Sequence, residues 1–193
     1  TRQGIVCGDN YGIVENCSVE SAVIETVAQK ENSIYGKVME YGALVGGNFG
    51  TIRGCFASDI TFDGEGVTWL LAHEFPYSTI ENTYYEANVE SGDAAKTAEQ
   101  FASGEVCSLL NHGVTDGSQY WHQNIDNGGE RDAAPVADSS HGIVYAGYQG
   151  CVKVYSNAEL QTTTPSHEAK YTANGNTITG ICKNDSSHNV QLT

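Results

Sequence analysis

Positive charge is scarce in this chain: nine Lys and Arg stand against 24 Asp and Glu, for a formal net charge of −15 over 193 residues. A surface that tracks phosphates needs clustered Lys and Arg, so nucleic acid is excluded as a partner. No apolar run approaches the ~18 residues of a membrane-spanning helix, so no membrane insertion is expected within this stretch. No secretory signal opens the sequence, Thr1 is not an initiator, and Val190 to Thr193 stops in what reads as a strand. A piece of a longer polypeptide is therefore expected, with its export signal and any anchor lying elsewhere. No two of the six cysteines form a Cys-x-x-Cys pair, so no zinc or other metal site is expected, and 15 disulfide connectivities remain formally open. Gly-x-Ser-x-Gly is missing, which removes local support for a serine hydrolase. A His-Glu-x-x-His helix is missing too. His73-Glu74-Phe75-Pro76-Tyr77 has neither the second His nor a possible helix, and His167-Glu168-Ala169-Lys170-Tyr171 has Tyr at the second ligand position.

What is abundant is repetition. Asn10-Tyr11-Gly12-Ile13-Val14-Glu15-Asn16-Cys17 returns as Asn48-Phe49-Gly50-Thr51-Ile52-Arg53-Gly54-Cys55, and again as Pro76-Tyr77-Ser78-Thr79-Ile80-Glu81-Asn82-Thr83. The offsets are 38 (52 − 14) and 28 (80 − 52), and the columns Tyr11/Phe49/Tyr77, Val14/Ile52/Ile80 and Cys17/Cys55/Thr83 all keep them. Columns that recur together signal a stacked-repeat architecture. The first copy reads as strand Gly4–Cys7, a turn, strand Ile13–Val14, a turn, and strand Ser18–Glu25. Strands this short gain ladder partners only by stacking on equivalent strands of the next copy, which is the logic of a β-solenoid. Tyr11, Phe49 and Tyr77 then form an aromatic ladder, and Glu15, Arg53 and Glu81 alternate in charge outside. Val27 to Tyr41 reads as an excursion between copies. The shared column of Cys17 and Cys55 admits either packed thiols or a disulfide. Pro76 signals that the repeats are ending, since proline cannot donate to a central ladder.

Beyond Gly92-Asp93 the period becomes helical. Thr97-Ala98-Glu99-Gln100 matches a capping box, and Ala102, Val106, Leu109 and Leu110 give a helix over 98–110 that Gly113 stops. Its stripe needs a surface, and the open end of the repeats is the expected one. Gln119–Ile125 alternates like an edge strand, Gly142–Tyr145 reads as a strand, and the Thr/Ser-rich stretch from Ser156 reads as a linker. Lys170-Tyr171-Thr172, Asn174-Gly175-Asn176 and Thr177–Cys182 form a hairpin signal. The expected fold is mainly β: a short β-solenoid of parallel β-helix-like repeats over 1–95, a cap of one α-helix and a small β segment over 96–155, and a linker with a β-hairpin over 156–193, the hairpin either packing against the cap or opening a further module.

The Gly42-Ala43-Leu44-Val45-Gly46-Gly47-Asn48-Phe49-Gly50-Thr51-Ile52-Arg53-Gly54-Cys55-Phe56-Ala57 passage resembles the GLUG motif, and residues 4–19 match it as well. Thr97–Val106, Leu109-Leu110-Asn111 and Trp121-His122-Gln123-Asn124 resemble the segment that follows such repeats in gut-bacterial surface proteins, so the likeness spans about residues 4–145. Tyr171–Thr193 resembles the opening of a repeated β-module in the same proteins. The resemblance implies an extracellular location on a bacterial cell surface, in a secreted or wall-attached, adhesin-like protein of several modules. It implies no catalytic residues and no cofactor.

Paired carboxylates could make a glycosidase in a solenoid groove, but among 24 acidic residues no pair stands out. Asp126–Asp132 alternates carboxylates as a calcium loop does, yet Arg131 sits where the turn wants Gly and no closing Glu follows; Asp59 with Asp63-Gly64-Glu65 is weaker. Tyr84, Tyr85, Trp69 and Trp121 are the candidate binding residues, as flat faces for sugar rings; the 27–41 excursion is a second candidate surface. The expected function is a non-catalytic structural or adhesive module that meets a host or cell-wall glycan or protein. The alternatives are a glycan-cleaving enzyme and an accessory region of a secreted protease.

Overall fold

The computed structural model describes residues 2–27, 39–88, 92–126 and 130–192. Most of the 27–41 excursion, and 127–129 of the 126–132 loop, lie outside them. The chain is mainly β, with parallel sheets built from three successive passages of the backbone. The first passage carries β1 (Arg2–Gly4), β2 (Cys7–Asn10), β3 (Ile13–Glu15) and β4 (Ser18–Thr26). The second carries β5 (Glu40–Gly42), β6 (Val45–Asn48), β7 (Thr51–Arg53) and β8 (Phe56–Gly64). The third carries β9 (Val67–Trp69), β10 (His73–Glu74), β11 (Thr79–Glu81) and β12 (Tyr84–Glu86), after which β13 (Ala95–Lys96) pairs with β12. Equivalent strands pair in parallel, giving the orders β1-β5-β9, β2-β6-β10, β3-β7-β11 and β4-β8-β12-β13. The expected strand 4–7 is in fact two strands, with Ile5 and Val6 between them.

The register follows the sequence offsets. Val14 pairs with Ile52 and Ile52 with Ile80. Inward residues fuse into one core of Val14, Val19, Leu44, Val45, Ile52, Cys55, Ala57 and Leu71. Burial is deepest in the second passage, where all four residues of β6 are buried, because every one of its strands lies between two neighbours. Asn16, Gly54 and Asn82 occupy the same turn in each passage and all have positive φ: 52°, 62° and 45°. Glycine and asparagine are the residues that tolerate that conformation, so the turn itself is written into the repeat.

Two columns carry buried polar groups through the stack. Asn48, fully buried, accepts from Asn10 Nδ2 (2.8 Å) and from the Gly50 N–H (3.2 Å), and donates to the Thr79 carbonyl (3.2 Å). The Cys17/Cys55/Thr83 column works by a shared geometry. The Cys17 N–H donates to Cys55 Sγ (3.3 Å) and the Cys55 N–H to Thr83 Oγ1 (3.4 Å), while each side chain donates to the carbonyl two residues before it. The thiols act as hydroxyl surrogates and are free, which decides the packed-thiol alternative for this column.

The third passage departs from the repeat. The aromatic stack is Tyr11–Phe49 (4.8 Å) and Phe49–Phe75 (4.1 Å), with Phe75 in place of the expected Tyr77. Pro76 and Tyr77 are two extra residues in a tight turn closed by the Ser78 N–H and the Phe75 carbonyl (3.0 Å), and Tyr77 is thrown fully into solvent at φ 73°. Outside the stack, Arg53 bonds both oxygens of Glu15 (2.9 and 3.1 Å).

The expected single helix is two: α1 (Ala98–Ala102), opened by the Thr97/Gln100 capping box, and α2 (Glu105–Leu110). Gly104 separates them at φ 90°, its α-carbon facing Ile125 and Val144 so closely that a Cβ would sit 2.9 Å from Ile125 Cδ1. The helices do not close the open end of the stack. Phe101, Val106, Leu110, Trp121 and Ile125 pack with Phe56, which lies on the face of β8 opposite the inward Ala57, so they cover a flank. The anchors are Trp121 Nε1 to the Gly54 carbonyl (3.1 Å) and Asn82 Nδ2 to the Leu110 carbonyl (2.8 Å).

Residues 119–125 form no strand; His122 makes a single bridge to Val136. The expected strand 142–145 lies later, as β14 (Tyr145–Gln149) paired with β15 (Val152–Ser156). The stretch after Ser156 is bonded down rather than linking freely: Asn157 accepts from the Ile125 and Asp126 N–H groups and donates to the Gln123 and Ile143 carbonyls. The hairpin forms as β16 (Ala169–Asn174) and β17 (Thr177–Cys182), and β18 (Asn189–Leu192) adds a third antiparallel strand.

Asn48→Ala should lower stability by about 3 kcal/mol, because each buried group it leaves unsatisfied costs roughly 1–3 kcal/mol; a reduced urea midpoint at unchanged slope is the readout. Gly104→Ala should cost about 2 kcal/mol, combining roughly 1–2 kcal/mol of left-handed strain with overpacking against Ile125. Thermal denaturation of the two variants checks both.

Candidate binding site

The four aromatic candidates separate in space. Trp121 is 2% exposed, packed edge-on against Phe56 with ring centroids 5.1 Å apart, and has no face left for a ligand. Tyr84 points with Phe56 into the flank cluster, its hydroxyl donating to Asn82 Oδ1 (3.1 Å) and pushed above its usual pKa by burial. Both are therefore packing residues. Side chains that share a sequence class need not share a face, and the outward column of β8 and β12 was claimed by the helices.

Trp69 and Tyr85 come together. They line a cleft of about 420 Å³ with Phe62, Leu71, Glu74 and Ile80, at the end of the stack where β9, β10 and β11 are the last strands of their ladders. Trp69 is 39% exposed and ends β9. Its ring stacks on His73 at 4.8 Å and 11°; His73 leans on Phe75 at 4.4 Å, and Phe75 continues the aromatic stack below. His73 Nδ1 lies 2.7 Å from Glu40 Oε1, while Arg2 Nε holds the other Glu40 oxygen at 2.9 Å and spreads its guanidinium over the Phe75 ring at 4.4 Å. The tryptophan is thus fixed from beneath by a chain of contacts reaching the first passage. Such preorganisation removes ordering entropy from any binding event.

Glu40 sets the electrostatics of this support. Burial works against its charged form, but the His73 imidazole beside it and the hydrogen bond from Arg2 outweigh that and hold its carboxyl below the usual range. Sequence reading weighed His73 and Glu74 only as a failed metalloprotease signature and did not single out Glu40. The usable signal was the spacing of Trp69, His73 and Phe75, three rings close together in a passage that otherwise breaks the repeat.

Other reactive types are placed elsewhere. Burial pushes the Cys55 thiol up to about 11 and that of Cys107 up to about 12, so both are protonated at neutral pH and poor nucleophiles. His141 Nδ1 lies 2.7 Å from Asp132 Oδ2, which also accepts from the Asn124 N–H at 2.6 Å; these bonds tie the 120s segment to 130–142. Cys151, His167, Cys182 and His188, which the spacing rules gave no reason to group, converge with their ligand atoms within 4.8 Å of one another. No family model, curated protein or solved structure matches the chain.

The depressed Glu40 pKa has a signed consequence. Its contribution to stability is fully present above the ordinary carboxyl value of 4.5 and is lost as pH falls through that value toward the folded pKa. Glu40→Gln should therefore be less stable than the parent at pH 7, and the gap should narrow as both are titrated toward pH 3 by denaturant unfolding.

Proposed function

We propose that the three passages form a short β-solenoid of the GLUG-like kind, and that the chain is a non-catalytic structural and adhesive module of a secreted or wall-attached bacterial surface protein, binding a glycan in the cleft of Trp69 and Tyr85. The observation that carries this reading is the Trp69 ring, stacked on a braced His73 and partly exposed beside the Glu74 carboxylate and Tyr85. A flat aromatic face takes the apolar side of a pyranose, and neighbouring carboxylate and phenol oxygens accept from its hydroxyls. The solenoid supplies rigidity, which is what a stalk or an adhesive surface requires. The acidic surface, with 24 Asp and Glu, suits a protein held soluble by self-repulsion in an open medium. The extracellular location rests on the resemblance of residues 42–57 to the GLUG motif and on that acidity.

The test is a glycan array followed by titration of the best hit against the parent and Trp69→Ala, together with a panel of polysaccharide and peptide substrates. The expected result is a bound glycan whose affinity falls about tenfold with Trp69→Ala, with the native circular dichroism spectrum kept at the assay temperature, and no turnover. Turnover abolished by changing a single Asp or Glu would replace this reading with a glycosidase.

A further inference from the structure

The C-terminal sheet poses a problem of stability. In β16 and β17 most side chains are exposed: Tyr171 is 65% exposed, Ile178 45% and Ile181 40%, and the buried positions of β17 are Gly180 and Cys182. A small sheet whose described side chains bury so little apolar surface gains from a staple, and small units of this kind use a disulfide or a metal for it. This sheet meets the preceding hairpin at Cys182. Its Sγ lies 3.3 Å from that of Cys151, in the turn between β14 and β15, and both cysteines are buried and free.

Two histidines complete the cluster. His167 precedes β16 and His188 precedes β18, with ring centroids 5.1 Å apart. The loop 183–188 is folded to deliver His188: its N–H donates to the Asp185 carbonyl (3.1 Å), its carbonyl accepts from the Cys182 N–H (2.9 Å), and Asp185 Oδ1 takes both the N–H and hydroxyl of Ser187. On the other side the Ser166 N–H donates to the Gly150 carbonyl (2.8 Å), setting His167 beside Cys151. All four ligand atoms fall within 4.8 Å of one another. A tetrahedron with bonds of ~2.3 Å to sulfur and ~2.0 Å to nitrogen has edges of roughly 3.3–3.8 Å, the longest between the sulfurs, so a small inward movement of the exposed imidazoles and a parting of the two sulfurs by about 0.5 Å close it.

We propose that Cys151, His167, Cys182 and His188 form a structural Zn²⁺ site that staples the β16–β18 sheet to the β14–β15 hairpin. Two thiolates and two neutral imidazoles are the donor set of a closed, tetrahedral structural zinc, with no position left for substrate water. Binding displaces the two thiol protons to solvent, and the two thiolate charges offset the 2+ of the ion, so the charge of the site is the same before and after. The backbone N–H groups of Asn184 and Asp185 lie against the Cys182 sulfur. Backbone N–H groups aimed at a ligand sulfur are the outer support that orients thiolates on a metal. The site is independent of the cleft at Trp69 and stands or falls without it.

The experiment uses the full chain in two preparations, one purified under reducing conditions and one exported to an oxidising compartment. Each is assayed for zinc by elemental analysis and for free thiols by alkylation and intact mass. Expected are one zinc per chain and unmodified Cys151 and Cys182 in both, a tetrahedral S₂N₂ spectrum when Co²⁺ replaces Zn²⁺, and slow amide exchange in β16–β18 that chelation abolishes. His167→Ala, which leaves both thiols in place and removes an exposed side chain, should weaken zinc by about tenfold or more, the range that even an outer partner of a ligand commands. A Cys151–Cys182 disulfide without metal in the exported protein would overturn the proposal. So would zinc bound equally well by Cys182→Ser, or no zinc uptake by the reduced chain.

Discussion

The buried amide of Asn48 is the interaction on which the stacked part of the molecule depends. It joins all three passages at once, accepting from Asn10 of the first and donating to Thr79 of the third. A polar group with no exposure tolerates no slip: moving one passage by a residue would turn its side chains to the other face and strand the amide in an apolar core. The adjacent Cys17/Cys55/Thr83 column repeats the logic with sulfur and hydroxyl. Between them these two columns lock a register that the aliphatic column of Val14, Ile52 and Ile80 would tolerate in several forms.

The cleft exists because that register fails gracefully in the third passage. Strand partners there are offset by 27 (67 − 40) in the first ladder, 26 (73 − 47) in the second and 28 (79 − 51) in the third. The residue lost before β10 puts His73 and Phe75 on the aromatic stack, and the two regained as Pro76 and Tyr77 restore the alignment of Ile80. Glu74 takes the place of the Asn10 and Asn48 amides. A carboxylate there cannot donate into a further passage as Asn48 does, and it faces the cleft instead. The end of the repeat and the start of the binding surface are thus one event in the sequence.

The parts legible in the sequence were those with a period. Offsets of 38 and 28 gave the parallel columns, the Thr97/Gln100 pair gave the helix start, and Asn174-Gly175-Asn176 gave the hairpin. What escaped had no period. Phe75 for Tyr77 turns on a two-residue insertion visible only once the ladder is drawn. Gly104 lies inside the helical stripe with nothing nearby in sequence to mark it, whereas Ile125 and Val144, distant in sequence, leave no room for a Cβ there. Trp121 and Trp69 are the same residue type with opposite fates, decided by which face of the stack the helices cover. The Cys/His cluster is spread over 151–188 and contains no short ligand pair, so only the meeting of a hairpin turn with a separate sheet assembles it.

The central claim, that three passages lie in parallel with Ile52 between Val14 and Ile80, is tested most directly by methyl nuclear Overhauser contacts in solution. With these side chains labelled, Ile52 should show cross-peaks to both Val14 and Ile80, with none between Val14 and Ile80, which are two strand spacings or ~9–10 Å apart. Absence of either Ile52 contact, or a direct contact between Val14 and Ile80, would contradict the stack.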